Sequence, residues 1–208
     1  MTDLAGPNRD GALEPIVRNL KSTELCAGRG KGGVECADEL HLYDKVKNAL
    51  RDFFHKDSKL LELDANERSI SHKVGEHLQV QFSGLNVDCE YNRKKDKKQE
   101  GYEHNRKHAI QAKTSKNKKV FPDIIVHERG SDENNCLVIE TKKKGRSIEE
   151  DCEKLKVFTG PKDYGYKVGL LLVFGVKKNK GIAEIIHFEG GKQVNNSMWA
   201  NLKTEVLP

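Results

Sequence analysis

Long hydrophobic runs are missing from this sequence: the longest, VGLLLVFGV at 168–176, falls far short of the ~20 apolar residues of a membrane helix. No membrane association is expected. The opening MTDLAGPNRDG lacks the apolar core of a secretory signal, so a cytoplasmic location is expected. Cysteine is scarce and unpatterned. Cys26, Cys36, Cys89, Cys136 and Cys152 are odd in number and include no CxxC pair. That argues against a disulfide framework and against a zinc knuckle, and leaves reduced, mostly buried thiols as the expectation. GRGKGG at 28–33 lacks the spacing of a phosphate-binding loop and the Ser or Thr after its lysine. No internal repeat is evident.

The hydrophobic fraction of 36% is modest and the charged fraction of 33% is high, yet strongly apolar runs remain, so a globular chain with polar embellishments is expected. With 208 residues, one domain with a substantial core is the default. The net charge of +5 is concentrated: residues 93–119 hold eleven Lys or Arg against three Asp or Glu, a local +8 that leaves the rest of the chain at −3. Residues 1–40, with six glycines and two prolines, read as a loosely ordered extension with a little helix near EPIVRNLKS. The main domain is expected over 41–208, with 93–119 as a basic insert.

Periodicity places the elements. HLYDKVKNALRDFFHK at 41–56 carries Leu42, Val46, Leu50 and Phe53 or Phe54 at helical spacing. A second helix starts near Asp64, predicted as its N-cap with Glu67 three residues on in the capping-box pattern. Its apolar stripe is Ile70, Val74 and Leu78, and Glu67 lies in that stripe, where a carboxylate needs a positive partner. LNVDCEY (85–91), VFPDIIVHE (120–128) and CLVIETKK (136–143) read as three strands. A helix over 147–158 capped by Ser147 follows, then strands in KVGLLLVFGV and AEIIHFE. This order predicts an α/β protein with a mixed central sheet flanked by helices.

The third strand is interrupted where it should be most buried. Alternation puts Val138, Glu140 and Lys142 on one face and Leu137, Ile139 and Thr141 on the other. A hairpin turn centred between Ser131 and Asp132 pairs Val126 with Leu137 and Asp123 with Glu140, with side chains about 5 Å apart. Like charges at that separation repel unless a divalent cation such as Mg²⁺ bridges them. Pro122, which cannot donate to a ladder, puts Asp123 at the end of its strand, where a site can open.

Pro122-Asp123, sixteen residues and then Glu140-Thr141-Lys142 resembles the PD-(D/E)xK nuclease superfamily, with its restriction-endonuclease-like αβββαβ core. In that family a helix entering the sheet supplies a glutamate to the metal site, and Glu67 occupies the corresponding place. The resemblance covers 60–188; the extension and the basic insert fall outside it. It implies a nuclease in which Asp123, Glu140, the Thr141 carbonyl and Glu67 hold Mg²⁺ or Mn²⁺. Lys142 would orient or help to activate the attacking water and neutralise charge on the phosphate. The expected substrate is DNA. Lys154 matches a position where some members place a further polar site residue.

Each residue also has a plainer reading. Glu67 can be a helix cap, and Asp123 and Glu140 can be strand-end acids satisfied by Lys142 or Arg129. The basic insert can be a solvated loop. Its charge and length instead favour nucleic-acid contact, through Arg93, Lys94, Lys95, Arg106 and Lys107, with Tyr102 as a stacking residue. Lys143, Lys144 and Lys154 join that set nearer the strands. His104 and His108 are four apart but read as solvated, and HNRKH lacks HNH spacing. The alternatives carried forward are a non-catalytic nucleic-acid-binding module on the same fold and a nuclease gated by a protein partner bound to residues 1–40. A homodimer is an option because cutting two strands needs two sites.

Overall fold

A computed structural model describes residues 38–91 and 121–207 of the chain, all within one compact unit, Val34–Pro208. The extension up to residue 37 and the basic insert, with Arg93, Lys94, Lys95, Tyr102, His104, Arg106, Lys107 and His108, lie outside the described residues.

Helix α1, Glu39–Lys56, buries Leu42, Val46, Leu50, Phe53 and Phe54 along one face, the stripe expected from their spacing. Asp38 caps it, its side chain accepting from the His41 amide at 2.9 Å. A short turn of helix, α2 (Lys59–Glu62), leads into α3 (Glu67–Gln81). The cap of α3 differs from expectation. Asn66 accepts from the Ser69 amide at 2.8 Å, while Asp64 takes a left-handed conformation, φ 55°, and gives its carboxylate to lysines instead. Glu67 is thus the first residue of α3 and not the partner in a capping box. A side chain at Gly75 would put its Cβ 2.9 Å from Cys89 Sγ, so glycine is what lets α3 lie close to the sheet.

The strands are β1 (Asn86–Cys89), β2 (Ile124–His127), β3 (Leu137–Lys143), β4 (Val168–Gly175), β5 (Gly181–Glu189) and β6 (Lys192–Val194). They form one six-stranded sheet in chain order. Only β3 and β4 run parallel, joined by the crossover helix α4 (Glu149–Thr159), as parallel neighbours require. The run α3–β1–β2–β3–α4–β4 gives the expected order, αβββαβ. The hairpin register also agrees: Val126 opposes Leu137 and Ile124 opposes Ile139, so the next position sets Asp123 beside Glu140.

Two apolar layers cover the sheet. Ile124, Leu137, Ile139, Leu170 and Leu172 pack with α1, α3 and the C-terminal helix α5 (Ser197–Glu205). Ile125, Val138, Leu171 and Phe188 pack beneath Leu155 and Phe158 of α4. β6 and α5 were not among the expected elements; α5 forms around Trp199, fully buried on the first layer. The cap of α4 falls at Ile148 rather than Ser147, whose hydroxyl is bonded to Glu149. Cys89 and Cys152 are free, but Cys136 is disulfide-bonded, so the expectation of uniformly reduced thiols does not hold. Among the described residues no helix is long and apolar enough to cross a membrane.

Candidate functional site

The C-terminal half of β3 is where charge enters the sheet. Its alternation sends Glu140 and Lys142 toward α4 and Thr141 toward α3, as the strand pattern predicts. Glu140 is 1% exposed, yet it sits in a strand interior. Its Oε2 accepts from Lys154 Nζ at 2.8 Å; its Oε1 is buried and has no hydrogen-bond partner. Burial pushes the Glu140 carboxyl well above its ordinary pKa, and the neighbouring Asp123 charge pushes it the same way. Asp123 is likewise raised, chiefly by burial, against hydrogen bonds that favour its charged form. Those bonds come from Thr141, through its amide (2.8 Å) and its hydroxyl (2.9 Å), and the hydroxyl is anchored in turn by Ser71 of α3 at 2.6 Å. Asp123 is therefore fixed in orientation by β3 and by α3 together.

Lys142 points elsewhere than at the pair. Its ammonium lies 2.8 Å from Asp151 Oδ2 and 3.9 Å from Glu67 Oε2. Burial alone would lower its pKa, but the bond to Asp151 together with the negative charges of Asp151 and Glu67 raises it overall. Lys154 bridges the network, 2.8 Å from Glu140 and 2.8 Å from Asp151. Burial works against its charge, and Glu140 and Asp151 together raise its pKa nonetheless. Acid and base thus alternate from Glu67 through Lys142, Asp151 and Lys154 to Glu140. Asp151 and its spacing to Lys154 carry the centre of this chain. Asp151 was not among the expected site residues; its place one turn before Lys154, which was, is the signal that marks it.

The expected site residues are only partly assembled. Asp123 and Glu140 adjoin, with Thr141 between them in contact. Glu67 stands apart: Oε1 accepts from the Lys143 amide at 3.0 Å, and Oε2 faces Lys142. Among the described residues, the one trio of His, Cys, Asp or Glu with ligand atoms within 4.8 Å is Glu39, His187 and Glu189. Glu67, Asp123 and Glu140 therefore do not form a three-carboxylate shell. The plainer pairing is also different from expectation, because Arg129 binds Asp88 (Nε to Oδ2, 2.8 Å) and Lys142 binds Asp151.

Two clefts flank the strand ends. The larger, about 790 Å³, is lined by Glu67, Phe121, Lys142, Arg146, Asp151 and Lys154 among others. Asp123 opens instead on a smaller one beside Arg68, Ser71 and His72. Glu140 is buried and lines neither. Of the lysines proposed for nucleic acid, Lys143 is tied to Asp64 Oδ1 at 2.8 Å and Lys154 is committed to Glu140, which leaves Lys144 exposed. Arg146 and Phe121, which line the larger cleft, were not foreseen. Comparison of the sequence with protein families and with curated proteins finds no match.

Proposed function

We propose that the protein is a divalent-metal-dependent nuclease of the PD-(D/E)xK type, hydrolysing DNA phosphodiester bonds at the C-terminal end of β3. The observation that carries this reading is the Asp123–Glu140 pair. A buried carboxylate, Glu140, and a half-buried one, Asp123, lie side by side, both with raised pKa, and one oxygen of Glu140 has no hydrogen-bond partner. Such an arrangement is costly for the fold and suited to a cation.

The pair and the Thr141 carbonyl fit a hard ion such as Mg²⁺ or Mn²⁺, since the donors are all oxygen and one of them is orphaned. Bound there, the ion would supply a polarised water and relief of charge on the phosphate. Thr141 and Ser71 hold Asp123 in one orientation. Lys142, its pKa raised, stays protonated at neutral pH, which suits an electrostatic role beside the phosphate rather than that of a general base. Exposed Lys144 and Arg146 offer phosphate contacts and Phe121 a stacking face. In the sequence the basic insert ends just before Phe121, and its +8 favours a polyanionic substrate. The reading keeps the expected cytoplasmic location, and a homodimer, with two sites, is one way for it to cut both strands.

One observation favours a second reading, a nucleic-acid-binding module without catalysis: Lys154 already neutralises Glu140, and Lys142 already has Asp151. Incubation with linear, circular, single-stranded and branched DNA separates the two. The nuclease reading expects cleavage with Mg²⁺ or Mn²⁺ that EDTA stops and Asp123→Ala loses. DNA binding with a steep salt dependence but no cleavage supports the module. Cleavage by Asp123→Ala at the wild-type rate overturns the site. A partner-gated nuclease would change its rate when residues 1–40 are deleted.

A further inference from the structure

His187 poses a problem that the nuclease reading does not use. It lies on β5 at 3% exposure, and neither of its ring nitrogens has a hydrogen-bond partner. A buried imidazole left wholly unsatisfied is rare in a folded protein, because each polar atom has given up water for nothing. Its neighbours are acids. Glu189, two residues on, shares its face of the strand, and Glu189 Oε1 comes within 3.0 Å of Nε2 without the alignment of a hydrogen bond. Glu39, the first residue of α1, completes a trio whose ligand atoms lie within 4.8 Å of one another.

We propose that Glu39, His187 and Glu189 form a binding site for one divalent first-row transition-metal ion, such as Zn²⁺ or Co²⁺. The donor set is one imidazole nitrogen and two carboxylates, which suits borderline metals; an imidazole ligand disfavours Mg²⁺. An ion there satisfies His187 and offsets the repulsion between two adjacent acids. The site also has the supports that metal sites use. Glu39 Oε1 accepts from Asn196 Nδ2 and from Trp199 Nε1, each at 2.8 Å, which fixes the carboxylate in place. A cleft lined by His187, Gln193, Asn195 and Asn196 gives an entry path. The ion would pin the start of α1 to β5 at the start of α5. None of its ligands belongs to the Asp123–Glu140 pair, so either site can exist without the other.

Trp199 supplies the readout. It is the sole tryptophan, and its ring lies 5.7 Å from that of His187. The full chain, stripped with a chelator and held in millimolar Mg²⁺, is titrated with Co²⁺ while tryptophan fluorescence is followed. Quenching that saturates at one Co²⁺ per chain and reverses with Zn²⁺ is the expected result. Glu189→Gln, at a partly exposed position that tolerates the change, should weaken Co²⁺ binding by at least about 10-fold. His187→Gln should abolish it, and Glu140→Gln should leave it at the wild-type value. Absence of quenching in the wild type, or equal affinity in wild type and Glu189→Gln, overturns the proposal.

Discussion

Strands β3 and β4 run side by side in parallel, at the same depth in the sheet, and differ in what they bury. At matched positions β4 carries Leu171 and Val173 where β3 carries Glu140 and Lys142. Leu171 is fully buried and Glu140 nearly so. The fold therefore accepts apolar side chains at this level, and does so next door. β4 reads as an uninterrupted apolar strand because burial is all that it does. β3 carries polar and charged side chains that cost free energy to desolvate, tied to the elements around them: Glu140 and Lys142 to α4, Thr141 to Asp123 and α3, Lys143 to the turn before α3. The lesson is that the second half of β3 is built for charge at some expense to stability.

That contrast can be broken in several ways. Lys154→Met should cost the most, about 3–5 kcal/mol at neutral pH, because it leaves Glu140 buried without its counter-ion. Glu140→Gln in that background should restore much of the loss, and urea denaturation of the double-mutant cycle measures it. Leu171→Ala should cost about 2–5 kcal/mol through the cavity it leaves, with cleavage per folded molecule unchanged. If Leu171→Ala instead abolished cleavage in folded protein, the two strands would not divide burial and chemistry between them. Lys142→Met should slow cleavage by about 100-fold with DNA affinity little changed, the signature of a charge used in the transition state.

The smallest effect is on pH dependence. The folded pKa of Glu140 is raised, chiefly by burial, so between the ordinary carboxylate range and that raised value the folded state holds a proton that the unfolded chain has released. Its stabilising share is present at low pH and is lost as pH rises through the folded value. Wild-type stability should accordingly fall relative to Glu140→Gln as pH climbs above the ordinary glutamate range, and equal slopes would count against a buried, raised carboxyl. Cleavage should move the other way, rising over the same range as Asp123 and Glu140 ionise.

Much of the sheet was legible because its signals are local. The period-2 alternation of β3 and the short turn after β2 fixed a register that the structure reproduces, Val126 to Leu137. The spacing of Leu42, Val46 and Leu50 gave α1. Where local chemistry was ambiguous, expectation failed: Asp64 and Asn66 are both good caps, and the choice between them was made by Lys143 and Lys177, which take the Asp64 carboxylate. α5 has a weak stripe and depends on burying Trp199 against α1 and β5, contacts remote in sequence. The site was half legible. The Asp123–Glu140 adjacency follows from register, whereas the turning of Lys142 toward Asp151 and the closing of Lys154 over Glu140 depend on where α4 docks. Glu39 and His187 meet only through the tertiary fold, and no pattern along the chain announces them.

The central claim is that Glu140 serves chemistry and not the fold, and one paired measurement on Glu140→Gln tests it: single-turnover cleavage of DNA in Mg²⁺ beside urea denaturation of the same preparation. The account predicts a protein at least as stable as wild type near neutral pH that no longer cuts. A Glu140→Gln protein that cuts at the wild-type rate, or one that fails to fold while Leu171→Ala folds, would contradict it.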